Sequence, residues 1–194
     1  MFSSVLTKIR AITEDWLLTG TQTFTYTTSL IFTLDELNAT AVNDLTIGGA
    51  ALDSGETYSY SATTHKVTVV GATPTAGDEV EVNYSYYNKN SNTVLAEYVR
   101  AALVYISIYS ECQDYELETD GEGVNNFEPT PSNKQLDMIA LVAGILINPN
   151  WSEYRLPNIT IKYPRTQTKE TKIRKLILHL QSWDGHTELI KMEA

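Results

Sequence analysis

Residues 54–87 read SGETYSYSATTHKVTVVGATPTAGDEVEVNYSYY, and the period of this stretch decides the fold class. Val80, Val82, Tyr84 and Tyr86 alternate with Glu79, Glu81, Asn83 and Ser85. In an extended chain that pattern puts an apolar row on one side and a wet row on the other. Thr73-Pro74-Thr75-Ala76-Gly77-Asp78 is dense turn chemistry, and residues 57–60 and 66–70 are strand candidates joined through 61–65. Upstream, Thr23-Phe24-Thr25-Tyr26-Thr27 alternates as well, 30–34 is a short apolar run, and Leu45-Thr46-Ile47 leads into Gly48-Gly49. Five or so strands over about 65 residues suffice for a small antiparallel sandwich or barrel.

On both sides of this region the period changes to that of a helix. Val5, Ile9, Ile12 and Trp16 form one stripe over 2–18, with Gly20 as the expected stop. Residues 93–110 carry Leu95, Tyr98, Val99, Ala102, Leu103, Ile106 and Tyr109 on one arc, and Val94, Ala101, Val104, Tyr105 and Ile108 on a second. A helix so apolar all round is central to a bundle or shared between subunits. Ser132-Asn133-Lys134-Gln135 fits a capping box before Leu136, Ile139, Ala140, Ala143 and Ile147, and Asn148-Pro149 ends that helix. The alternating segment 158–163 is broken by Pro164, and Thr168 can cap a last helix with Ile173, Leu176, Ile177, Leu180 and Trp183 in its stripe. The expected fold class is therefore α+β. It is a bundle of about four helices, residues 1–20 and 91–194, with a small antiparallel β-sandwich or barrel, residues 21–90, inserted after the first helix. The entry and exit of such an insertion must lie close together.

The totals narrow the function classes. At 194 residues and 42% hydrophobic, the chain can bury a sizeable core. A formal net charge of −10 argues against general attraction to a nucleic-acid backbone. The charge is uneven: residues 1–160 hold 7 Lys+Arg against 20 Asp+Glu, while 161–194 hold 7 against 4. A lone cysteine, Cys112, excludes an internal disulfide framework and points to a reducing compartment. Lys8, Arg10, Glu14 and Asp15 interrupt any secretory signal at the start, and the apolar run 138–147 is about half of the ~20 residues needed to span a membrane.

No constellation for chemistry stands out. His65, His179 and His186 have no paired-ligand spacing, and no phosphate loop, nucleophile elbow or dinucleotide turn occurs. Glu111 and Asp114 beside Cys112 disfavour a thiolate. Neither a catalytic residue, a metal nor a cofactor is expected. Two segments keep two readings each. The acidic stretch Glu111, Asp114, Glu116, Glu118, Asp120 and Glu122 lacks calcium-loop spacing. It is either a solvated loop or, repeated by ring symmetry, the negative lining of a channel. The last helix, with Lys169, Lys172, Arg174, Lys175 and Trp183, is either packed on its own subunit or a docking element for an acidic groove of a partner.

The order of helix, inserted β-module and three further helices resembles the head-to-tail adaptor (connector) proteins of tailed bacteriophages. The module is similar to small β-domains of phage virion proteins, through the turn Pro74-Thr75-Ala76-Gly77-Asp78 and the strand Val80-Glu81-Val82-Asn83-Tyr84. The resemblance implies a structural protein without catalysis, in the neck or tail region of the virion and assembled in the host cytoplasm. It implies a homo-oligomeric ring, a dodecamer by family, that binds the portal protein and the tail or nozzle proteins. DNA passes through the ring without sequence-specific binding, and no membrane is involved. Under this reading Tyr98, Val99, Ala102, Tyr105, Ile106 and Tyr109 pack subunits together, and Lys169, Lys172, Arg174, Lys175 and Trp183 dock on the portal. A different class of reading is a binding module of a tail or fibre, in which Tyr58, Tyr60, Tyr84, Tyr86 and Tyr87 stack on a glycan or receptor.

Overall fold

The computed structural model describes residues 1–110, 114–119, 125–182 and 188–191. It is an α+β protein: four helices packed together, with antiparallel β-sheets inserted after the first helix. The chain divides into two compact units, Met1–Asp15 with Asn92–Ala194, and Trp16–Ser91.

In the inserted unit the strands are β1 (Leu17–Thr25), β2 (Ile31–Thr33), β3 (Ala39–Ile47), β4 (Ala50–Ala51), β5 (Thr57–Ser61), β6 (Lys66–Val70) and β7 (Glu79–Tyr87). They form two sheets, ordered β1-β7-β3-β4 and β2-β6-β5, in which every pairing is antiparallel. Phe32, Leu34, Leu45, Val67, Val69, Val80 and Val82 fill one core shared by both sheets. The alternation on β7 is as its sequence dictates, with Val80 and Val82 fully buried and Glu79 and Glu81 exposed. The turn before it is held by its own side chain. Thr75 N donates to Asp78 Oδ2 (2.7 Å), and Gly77 takes φ 99°, a conformation that a side chain would strain. Leu17 faces Tyr87 in register, so the first residue of the first strand and the last residue of the last strand are neighbours.

The opening boundary differs from expectation. The first helix, α1 (Phe2–Thr13), stops at Glu14, which takes the left-handed φ of 54°, and Asp15 N closes the end on the Arg10 carbonyl (3.0 Å). Trp16 thus leaves the helical stripe and is 58% exposed. Gly20 does not stop a helix; it lies inside β1, and a Cβ there would come within 3.0 Å of the Tyr84 ring. The glycine is a seat for an aromatic ring.

In the helical unit α1 is followed by α2 (Asn92–Tyr109), the hairpin β8 (Glu116–Thr119) and β9 (Asn125–Glu128), α3 (Asn133–Ile147), β10 (Glu153–Leu156), β11 (Ile159–Lys162), α4 (Lys169–Ser182) and β12 (Glu188–Lys191). The central helix is α3, on which α1, α2 and α4 all pack. Residues 136–145 of α3 are buried without interruption. Its start is the expected capping box: Gln135 N donates to Ser132 Oγ (3.4 Å) and Ser132 N to Gln135 Oε1 (2.7 Å). Gly144 lets α1 approach, since a Cβ there would meet Ile12 Cγ2 at 2.7 Å. The acidic stretch expected as a loop is in part the hairpin β8–β9, anchored by Leu117 opposite Phe127, the latter buried. A second small sheet, β10-β11-β12, has β11 and β12 parallel.

Candidate assembly surface

The helix α2 buries one arc only. Leu95, Ala96, Val99, Ala102, Leu103 and Ile106 point into the bundle. Val99, Ala102 and Ile106, expected to pack between subunits, therefore serve the chain's own core. Tyr98, Tyr105 and Tyr109 lie half-buried at the margin, with the Tyr105 and Tyr109 rings stacked at 6.3 Å. The opposite arc carries Ala101, Val104 and Ile108, on successive turns, and among the described residues it is left to solvent: Val104 is 60% and Ile108 65% exposed. The sequence contains both arcs, and the more regular one, with Leu95, Val99, Ala102, Leu103 and Ile106, is the one that faces inward.

The acidic hairpin packs on the same helix. Asp114, Glu116 and Glu118 are exposed, as is Glu128. Glu116 and Glu128 are direct cross-strand partners, a like-charged juxtaposition that disfavours pairing. No Lys or Arg occurs in the sequence between Arg100 and Lys134. Arg100 ties the hairpin to α2: Nη1 donates to Glu97 Oε1 (2.6 Å), and Nη2 to Thr119 Oγ1 (3.1 Å) and Asn125 Oδ1 (3.0 Å). Glu111, Asp120 and Glu122 lie outside the described residues.

The basic helix α4 separates into two kinds of cation. Lys169 and Arg174 are exposed, and Lys175 is half-buried. Lys172, in contrast, is fully buried, so its ammonium is not part of the outer face. Its Nζ donates to the carbonyls of Pro149 (2.6 Å) and Trp151 (2.8 Å), and Tyr163 Oη donates to the Lys172 carbonyl (3.0 Å). Burial pushes the Lys172 pKa down, because the charged form loses its hydration. The spacing 172, 176, 180 stacks this lysine on the stripe of Leu176 and Leu180, and that signal was available in the sequence. Trp183 lies outside the described residues. The outward arc of α4 is Thr171, Arg174 and Leu178, the leucine 51% exposed.

A second buried charge went unforeseen. Arg10 is 5% and Asp15 2% exposed; Arg10 Nη1 pairs with Asp15 Oδ2, and Nη2 donates to Asn92 Oδ1 (2.7 Å). One guanidinium thus holds the residue at which the chain leaves the helical unit and the residue at which it returns. Lys8 pairs with buried Asp137, which also accepts from Asn158 Nδ2 (2.9 Å).

Four of the five tyrosines considered for ligand stacking pack against the core of the β-unit. Tyr58, Tyr60, Tyr84 and Tyr86 lie half-buried there. Tyr60 Oη donates to the Ala39 carbonyl (3.0 Å), and burial raises its pKa. Tyr87 is half-buried, opposite Leu17. Among the described residues no three His, Cys, Asp or Glu side chains stand close enough to share a metal, and no helix is long and apolar enough to cross a membrane. Compared with known proteins, the chain matches no protein-family model and no curated protein.

Proposed function

We propose that this protein is a structural virion component: a ring-forming head-to-tail adaptor that joins the portal to the tail of a bacteriophage around the DNA channel. The observation that carries this reading is the outward arc of α2. Isoleucine and valine side chains repeated along one helix face are left to solvent among the described residues, while the same helix has already filled its own core. Contiguous apolar surface of this kind marks a protein–protein contact. The net charge of −10 suits a channel wall past which DNA slides without adhering.

The supporting architecture is a helical bundle interrupted by a β-unit, with the two chain crossings held by Arg10. The bundle can then pack side by side with copies of itself, while the β-unit contacts a neighbouring subunit or the capsid and tail surface. The test is electron microscopy of purified particles carrying a label on this chain. Label at the junction of head and tail supports the assignment; label on the fibres, or none on the particle, overturns it.

A further inference from the structure

We propose that the outward arc of α2, together with the acidic hairpin, is one half of a head-to-tail interface, and that its other half is the outward arc of α4 on a second copy of this chain. The inference rests on the ring reading above and assigns the two faces that would close the ring.

Three observations lead to it. First, the faces are different and complementary. Val104 and Ile108 are exposed on α2, to which Arg100 ties a hairpin whose Glu116, Glu118 and Glu128 are exposed, whereas exposed Leu178 on α4 lies one turn from exposed Arg174 and near half-buried Lys175. The first face offers two exposed apolar side chains and carboxylates, the second one exposed leucine and cations, and charges of opposite sign fix register and suppress wrong pairings. Secondly, Glu116 and Glu128 stand directly across from each other on the hairpin, and no Lys or Arg follows in the chain until Lys134. An arriving guanidinium would relieve that repulsion. Thirdly, both faces belong to one compact helical unit in which α2 and α4 both pack on α3. Two distinct complementary patches on one body make a heterologous contact, which closes into a ring or runs on as a filament. Helices of 18 and 14 residues present edges of roughly 27 and 21 Å, long enough to lie side by side. The hairpin carboxylates then sit at the boundary between copies.

The test uses the full chain in sedimentation velocity over a concentration series, with three variants: Glu116→Lys/Glu128→Lys, Arg174→Glu/Lys175→Glu, and all four changes in one chain. Each double reversal is expected to raise the concentration needed for assembly by about tenfold or more, because like charges now meet. The quadruple variant is expected to assemble as the wild type does, and an equimolar mixture of the two doubles to recover assembly that neither shows alone. Glu116, Glu128 and Arg174 are exposed and Lys175 is half-buried, and unchanged circular dichroism checks that the variants fold. Wild-type rings that ignore both reversals overturn the pairing of faces and leave the ring reading standing. A wild-type chain that never self-associates, with or without a portal, removes both. Rings that survive the hairpin reversal and gain DNA affinity would put the carboxylates at the channel wall and overturn this proposal.

Discussion

Lys172 shows how a single residue can read as surface and serve as core. A fully buried ammonium is costly unless every donor finds an acceptor, and here two carbonyls and the Tyr163 ring, 5.9 Å from Nζ, surround it. The residues around it titrate abnormally for the same reason. Tyr154 is 1% exposed, donates to the Asn148 carbonyl (2.6 Å), and has its pKa pushed by burial up to about 12. Tyr163 is raised further, by burial and then by the neighbouring Tyr154. Because the folded value of Tyr154 lies above the ordinary 10.0, its contribution to stability is whole below pH 10 and is lost as pH rises through about 12. Alkaline titration of phenolate absorbance is expected to show a late phase near pH 12 coupled to unfolding, and Tyr154→Phe to remove its share. A titration finished by pH 11 would contradict the burial seen here. Lys172 runs in the opposite sense: its lowered value means that the fold favours the neutral form, so its contribution grows as pH rises towards the ordinary lysine value.

At the scale of elements, α1 approaches α3 closely at Gly144. A methyl group there would meet Ile12 Cγ2 at 2.7 Å. Gly144→Ala should cost about 1–3 kcal/mol despite the better helix propensity of alanine, because the helices must part. Combined with Ile12→Ala the loss should be less than the sum of the two single losses, measured by urea unfolding; strict additivity would show that the contact is not shared. Helices were legible in the sequence wherever one apolar stripe stood alone, as in α4, and where the cap was spelled out, as at Ser132. The strand β7 was legible from its alternation. Legibility failed where the deciding partner lay far along the chain. The second apolar arc of α2 gives no sign in the sequence that it stays outside the chain's own core. The residues ELET of β8 hold a single apolar side chain, and only pairing with Phe127 makes them a strand. The end of α1 was misread because Trp16 continues the spacing of the stripe, while a left-handed Glu14 and the buried Arg10–Asp15 pair turn the chain away.

On the scale of the whole molecule, the helical unit is interrupted once in sequence and closed again at the interruption. Arg10, Asp15 and Asn92 perform the closure within the helical unit. Residues 16–91 have a core of their own. Replacing 16–91 by a short Gly/Ser linker should therefore leave a cooperatively folded helical protein by circular dichroism; a chain that loses its helices would contradict the two-unit description. Of the residues expected to pack subunits together, Val99, Ala102 and Ile106 are buried in the chain's own core, and the exposed arc of α2 is that of Val104 and Ile108. That face is the centre of the functional reading. Its most direct test is sedimentation velocity of the full chain, alone and with the portal protein, comparing wild type with Val104→Asp/Ile108→Asp. A discrete ring-sized species is expected for the wild type and a folded monomer for the variant. A variant that assembles as the wild type does would contradict it.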